Sequence, residues 1–138
     1  MAKYLYLIFI VLPILFSPSC DLGGDYSAEL SGEYFYRSEG PGMHDILCHF
    51  TAGKQIPADV LGYDYDDNFI IALQKPDAVD EPLYETKYSY PQGRDRTYYW
   101  LIVHSQKLIL GPMLEQEFVD ARIKYHVPST LDVKNYPD

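Results

Sequence analysis

The sequence predicts an α+β domain, in which an antiparallel sheet of about five to six strands, a meander of hairpins, carries one C-terminal helix. Three observations lead to this prediction. Short apolar and aromatic runs are separated by glycine, proline, aspartate and asparagine, which form turns. One stretch near the C-terminus has the periodicity of an amphipathic helix. Strand and helix patterns do not alternate, as they would for a parallel sheet.

The N-terminus has the features of an export signal. Lys3 supplies a positive charge, and an apolar run extends over Tyr4–Phe16. At about 1.5 Å of rise per residue this run covers roughly 20 Å, less than the roughly 30 Å hydrocarbon core of a bilayer. Small residues at 17–19 directly precede Cys20. We therefore predict a lipoprotein-type signal peptide over residues 1–19, removed by cleavage before Cys20.

Two alternatives exist for Cys20. As the lipid-attachment residue, it anchors the protein to a membrane of the bacterial cell envelope, facing outside the cytoplasm. Alternatively, an ordinary signal peptidase cuts at the same point and releases a secreted protein. With Cys20 lipidated, Cys48 has no partner in the chain and is expected to be an inert buried residue. With Cys20 free, a Cys20–Cys48 disulfide could form in an oxidising compartment.

The mature chain divides into a short tether and one domain. Residues 20–30, with Gly23 and Gly24, are predicted to be a lipid-anchored tether, and residues 31–138 a single α+β domain. The chain has 11 basic and 20 acidic residues, a net charge of −9, and no basic run. Because an acidic surface repels phosphate backbones, nucleic acid is excluded as a partner.

Several short runs have the composition of strands. One hairpin turns at Asp66–Asn68, where aspartate and asparagine favour a tight connection. A second hairpin turns at His104–Gln106. The predicted strands are Glu33–Arg37, Asp45–Thr51, Ala58–Tyr65, Phe69–Leu73, Tyr98–Val103 and Lys107–Leu110.

The C-terminal helix is predicted from about Leu114 to His126. Glu115 and Glu117 lie in its first turn, where carboxylates interact favourably with the helix dipole, and Pro128 ends it. Its apolar stripe consists of Leu114, Phe118, Ala121 and Tyr125.

A long connection, Lys75–Thr97, joins the two hairpins. Loops of this length in compact domains are usually functional or mobile. Tyr84, Tyr88 and Tyr90 make this one aromatic. We consider two alternatives: a recognition loop built on these three tyrosines, and an edge strand followed by an irregular excursion.

One acidic cluster, Asp64–Asn68, has ligand types that suit a metal. It resembles the start of a calcium loop, but Phe69 stands at the sixth position instead of glycine, and Lys75 at the twelfth instead of glutamate. Aspartate and asparagine are also the usual residues of a hairpin turn. We favour the turn over a metal site.

Other residues offer weaker chemistry. In an extended strand His44 and Cys48 lie about 13 Å apart, and His49 points to the opposite face. The sequence contains no nucleophile elbow, phosphate loop or zinc-protease signature. Trp100 could stack on a sugar, although its place in an apolar strand favours the core. The sequence therefore predicts no catalytic residue, metal or cofactor.

An ordered set of short motifs extends from Lys54 to the C-terminus. The motifs are Ile56–Ala58 with Val60, Asp66–Ala72 with Gln74, Tyr99–Ile102, Gly111-Pro112 and Glu117-Phe118 with the closing helix. Together they resemble domain-of-unknown-function family 3997, small bacterial proteins that are often lipoproteins. One departure is Leu114, which stands where the family usually has a small hydroxyl residue able to cap the helix. The resemblance implies export and one compact domain, and no activity.

These observations favour an uncharacterised cell-envelope lipoprotein whose domain binds another envelope or secreted protein without catalysis. The expected partners are the membrane, through lipid on Cys20, and a protein. One alternative is a small-ligand or glycan binder that uses Trp100 and nearby tyrosines. Another is a metal-assisted hydrolase with its metal at Asp64–Asn68.

Overall fold

The computed structural model describes residues 25–79, 82 and 84–133. It contains two four-stranded antiparallel sheets and one C-terminal helix, so the predicted α+β class is confirmed, with more strands than expected and two sheets instead of one. Sheet 1 consists of β1 (Tyr26–Glu29), β2 (Tyr34–Ser38), β3 (His44–Cys48) and β4 (Gln55–Ile56). Sheet 2 consists of β5 (Val60–Tyr65), β6 (Phe69–Gln74), β7 (Tyr98–Val103) and β8 (Leu108–Met113), and the helix α1 spans Glu115–Lys124.

Strand β1 lies inside the stretch predicted to be a tether. Tyr26–Glu29 pairs with β2 along its whole length, and the ring of Tyr26 lies 5.7 Å from that of Tyr36. The sheet therefore begins before the predicted boundary at residue 31. This strand is short and mostly exposed, so its backbone pairing leaves little apolar pattern in the sequence. Residues 1–19 and Cys20 lie outside the described part of the chain.

The two sheets pack face to face and share one core. Sheet 1 contributes alternate residues of its strands, and sheet 2 contributes one face of β5, β6 and β7, which is the period-two pattern of packed sheets. The buried residues of this core are Tyr34, Tyr36, Ile46, Ile56, Val60, Tyr63, Ile70, Ala72, Trp100 and Ile102.

A second core lies on the other face of sheet 2. Ile71, Leu101 and Val103 point away from sheet 1 and are covered by Phe118 of α1 and by Leu131. Sheet 2 is thus buried on both faces, which explains why its strands are nearly continuous apolar runs.

Both predicted hairpins of sheet 2 are present, and the second includes a close contact. Strand β8 extends to Met113 and has an irregular register opposite Trp100. At Gly111, which has a φ of 145°, a Cβ atom would lie 2.5 Å from ring carbons of Trp100. Only glycine lets this backbone approach the indole so closely.

Helix α1 starts without a capping side chain at Leu114. The Leu114 N–H instead donates a 2.8 Å hydrogen bond to the carboxylate of Glu117, which lies one turn ahead. Phe118 then stacks on Tyr99 of β7, with ring centroids 4.7 Å apart. Within the described residues, no helix has both the length and the apolar character needed to cross a membrane.

Candidate binding face

Among the described residues, both faces of sheet 2 and the inner face of sheet 1 are covered by another layer of structure. The outer face of sheet 1 is covered by no such layer. The strand register identifies its side chains, because partners in an antiparallel pair lie on the same face. Those side chains belong to Ser27, Glu29, Phe35, Arg37, Asp45, Leu47 and Gln55.

A groove of about 330 Å³ runs across this face, and we call it the outer groove. Phe35 and its cross-strand neighbour Leu47 form its apolar floor. His49 stacks on Phe35 with ring centroids 4.4 Å apart. Beside it Phe50 is 80% exposed, the largest exposed fraction among the described large hydrophobic residues.

A partly buried ion pair between Arg37 and Asp45 adjoins the floor of the outer groove. Arg37 donates two hydrogen bonds to Asp45, with Nε–Oδ1 at 3.0 Å and Nη2–Oδ2 at 2.6 Å. Asp45 is only 1% exposed because Tyr84 covers it and donates a 2.6 Å hydrogen bond to its carboxylate. Burial, followed by this hydrogen bond to Asp45, raises the pKa of Tyr84. The hydrogen bond to Asp45 likewise raises the pKa of Arg37.

The three tyrosines of the long connection face the body of the domain. Tyr84 is buried, while Tyr88 and Tyr90 are half-buried. The Tyr88 hydroxyl donates to the Gln55 carbonyl at 3.3 Å, and the Tyr90 hydroxyl accepts from Gln74 at 3.0 Å. These side chains anchor the connection, and they leave little aromatic surface for the predicted recognition loop. The described residues of the connection form no strand, so the edge-strand alternative has no support either.

Trp100 lies in the core between the sheets. Its side chain is fully buried, and its Nε1–H donates a 2.7 Å hydrogen bond to the Gln74 side chain. Tyr88 packs against its ring in an edge-to-face arrangement, with ring centroids 4.8 Å apart. The core interpretation is confirmed, and the indole has no exposed face on which a sugar could stack.

The acidic cluster Asp64–Asn68 forms the turn that the sequence favoured. One oxygen of Asp66 accepts hydrogen bonds from the N–H groups of Asn68 and Phe69, both at 2.8 Å. Asp64 accepts from the Asp132 N–H at 2.9 Å and so ties the C-terminal segment to β5. Across the described ranges, no three His, Cys, Asp or Glu residues are grouped so as to hold a metal ion.

His44, Cys48 and His49 each have a different acidic neighbour. His44 Nδ1 lies 2.6 Å from Asp59, and His49 Nε2 lies 2.9 Å from both carboxylate oxygens of Glu29. Cys48 is half-buried, with its sulfur 3.9 Å from Glu33, so it is more accessible than expected.

A second cleft, of about 320 Å³, opens between the ends of the two sheets and is lined in part by Cys48, Lys54, His104 and Lys107. His104 Nε2 lies 2.8 Å from the Ser31 hydroxyl, which joins the turn after β7 to the turn before β2. Burial lowers the pKa of His104, an effect that the nearby Asp66 partly opposes.

The outer groove was not predicted from the sequence. Its signal is present in β2, where Tyr34 and Tyr36 alternate with Phe35 and Arg37. A strand with aromatic residues on both faces is ordinary when both faces are covered, and unusual when only one is. The pattern alone did not say how many layers cover each sheet.

The comparisons with known proteins agree with the resemblance in the sequence. The family model for proteins of unknown function DUF3997 matches residues 44–137, from β3 to the C-terminal region. No curated protein and no solved structure matches the chain. The match covers more than half of the chain, and the chain therefore belongs to the DUF3997 family, whose function is unknown.

Proposed function

We propose that this protein is a lipid-anchored protein of the bacterial cell envelope whose domain binds another envelope or secreted protein without catalysis. The outer groove of sheet 1 is the binding surface. The observation that carries this proposal is Phe50, which is 80% exposed and whose ring centroid lies 6.0 Å from that of His49, the residue that stacks on Phe35 in the outer groove. Binding energy at protein interfaces is concentrated in such aromatic side chains, which lose their water when a partner covers them.

The internal bonding of the domain supports binding rather than chemistry. In the described residues, every buried side-chain nitrogen or oxygen has a hydrogen-bond partner. Asp45, the most deeply buried carboxylate on the outer face, already binds both Arg37 and Tyr84. A polar group in such a network holds the fold in one arrangement and is poorly placed to exchange protons with a substrate.

The residues that suggested the alternative functions have structural roles instead. Trp100, on which the glycan-binding alternative depended, is buried between the sheets. Asp66, which the hydrolase alternative needed for a metal, caps the turn between β5 and β6 through two backbone N–H groups. Neither alternative gains a specific observation from the fold.

The place of β1 sets how close the domain would lie to a lipid anchor. Tyr26 begins β1 six positions after Cys20, so an extended linker would span at most about 20 Å. A lipid on Cys20 would therefore hold sheet 1 near the membrane, where an envelope partner is within reach. The intact mass of the mature protein tests the anchor, because lipidation adds the mass of acyl chains and an unmodified thiol contradicts it.

The binding function is tested by affinity capture with the full-length protein from membranes and secreted fractions of its native host. Three tagged forms are compared: wild type, Phe50→Ser, and Ile123→Ser as a matched control. Ile123 is 70% exposed on α1, so its substitution removes a similar apolar surface elsewhere. We expect a protein that is captured by the wild type and by Ile123→Ser and lost with Phe50→Ser. The same captured proteins with all three forms, or none above a tag-only control, would contradict the proposal.

A further inference from the structure

We infer that the outer groove binds a cationic segment of its partner, in which one large apolar side chain is flanked by lysine or arginine. This inference rests on the proposed function and adds the chemistry of the partner. It is drawn from the charges around the groove, the charge of the whole chain and the shape of the floor.

The cations beside the outer groove are already engaged. Arg37 binds Asp45 through two nitrogens and also contacts Glu39 at 3.1 Å. Lys54 directs its ammonium group toward the carbonyl of Lys107, at the entrance of the second cleft. The charge of Arg37 is thus compensated within the domain, whereas Lys54 directs its charge toward the second cleft and away from the apolar floor, so an anionic partner on the floor gains little from either.

Carboxylates stand exposed on two opposite sides of the outer groove. The Glu29 side chain is 72% exposed and is held beside the groove by His49. Glu85 lines the other side, is exposed, and forms no ion pair with any residue that the structure describes. A lysine or arginine next to a side chain seated on the floor could reach these carboxylates.

The charge of the whole chain favours the same partner. With a net charge of −9, the protein attracts cationic segments and repels anionic lipid surfaces and second copies of itself. Attraction of this kind accelerates encounter and weakens as salt is added.

The floor of the outer groove favours a large apolar side chain from the partner. Phe35 and Leu47 form a continuous apolar strip, and the exposed ring of Phe50 is linked to it through His49, which stacks on Phe35 and lies 6.0 Å from Phe50 between ring centroids. The Thr86 hydroxyl donates a 2.6 Å hydrogen bond to the carbonyl of Gly53, a residue that lines the groove, and so ties the long connection to the groove's edge. A single aromatic or long aliphatic side chain seated on this strip and reaching Phe50 would remove both from water.

The test selects ligands from a displayed library of random short peptides, using the full-length protein as bait. The selected peptides are then synthesised, and their affinities are measured by fluorescence anisotropy. We expect sequences with one large apolar residue flanked by lysine or arginine, and binding that weakens as sodium chloride is raised. Glu85→Lys should weaken binding about fivefold and Phe50→Ser about thirtyfold, while Ile123→Ser leaves it unchanged.

Peptides without lysine or arginine, or affinities that Glu85→Lys does not change, would overturn the inference. Sedimentation with phosphatidylcholine vesicles that depends on Phe50 would show a membrane as the occupant, and concentration-dependent dimers that depend on Phe50 would show a second copy. If capture from the host depends on Phe50 while the peptides carry no positive charge, the proposed function stands and the inference fails. If neither assay depends on Phe50, the proposed function fails as well.

Discussion

The two sheets of this domain have the same number of strands and the same antiparallel order, and they differ in how they are covered. Sheet 2 lies between sheet 1 and the layer formed by α1 and the segment around Leu131. Sheet 1 has a core on one face and exposes side chains such as Phe35 and Leu47 on the other. The difference separates two roles: sheet 2 provides most of the apolar burial, and sheet 1 provides a surface.

The sharpest test of this comparison is one substitution made in each sheet. Leu101→Ala, in the doubly covered β7, should lower the free energy of unfolding by about 2–5 kcal/mol because it leaves a cavity under α1. Leu47→Ala, in the outer groove, should cost less than about 1 kcal/mol because Leu47 is partly exposed. Urea unfolding measures both. Equal losses would show that sheet 1 is as buried as sheet 2.

On the open face of sheet 1, where most substitutions should cost little stability, one polar cluster is expected to contribute strongly. Asp45→Ala should cost about 3 kcal/mol, because it leaves Arg37 and the hydroxyl of Tyr84 without their shared acceptor. Glu39→Ala, the control, removes the exposed partner of the same arginine and should cost less than about 1 kcal/mol. If thermal unfolding shows similar losses, the ion pair does not support the groove.

The burial of Tyr34 on the inner face of sheet 1 can be tested by measuring stability at alkaline pH. Burial, with smaller contributions from Cys48, Tyr88 and Glu33, raises the pKa of Tyr34 to about 12. Unfolded tyrosine ionises near pH 10, so from about pH 10 to 12 the folded state binds more protons at this site and stability falls as pH rises.

Tyr34→Phe should reduce this alkaline loss of stability. Tyr26→Phe, at the exposed edge of the same sheet, serves as the control. Urea unfolding across this pH range measures both variants, and identical slopes would contradict the burial of Tyr34.

The smallest expected effect concerns His104, where the two sheets meet. Its pKa is lowered by burial, so the unfolded state takes up its proton at a higher pH than the folded state. The stability from neutral His104 is therefore complete above about pH 6.5 and is lost as pH falls through the lowered pKa.

His104→Gln should flatten the change in melting temperature below about pH 6.5. His126→Asn is the control, because His126 is exposed and asparagine tolerates its left-handed backbone, with a φ of 56°. A slope that stays the same in His104→Gln would assign the acid sensitivity to other groups.

Sheet 2 was predictable from the sequence, and sheet 1 only in part. The strands around Asp66–Asn68 and His104–Gln106 have apolar runs on both sides of clear turns, so both hairpins were found. β1 was missed because four mostly exposed residues leave little periodic signal. The division into two sheets was also missed, because β4 and β5 are consecutive strands that do not pair, and hydrophobic pattern does not identify which neighbours share hydrogen bonds.

The candidate site was hidden for a related reason. Tyr84, Tyr88 and Tyr90 have the composition of a recognition loop, but their hydroxyls bind groups contributed by distant strands. Their direction depends on tertiary contacts that spacing along the chain does not determine. Phe50 was unremarkable in sequence, and its exposure became visible only once the layers around each sheet were known.

The hydrogen bond between Tyr84 and Asp45 joins residues 39 positions apart and has a consequence for the order of assembly. A chain that emerges N-terminus first presents all four strands of sheet 1 before Tyr84 arrives. Until then the Asp45 carboxylate is open to water, and the outer groove lacks one wall. Sheet 1 is therefore the first to emerge, but its outer groove is completed only when Tyr84 follows. An exported protein would gain its binding face once Tyr84 had crossed the membrane, while β7, β8 and α1 were still to follow.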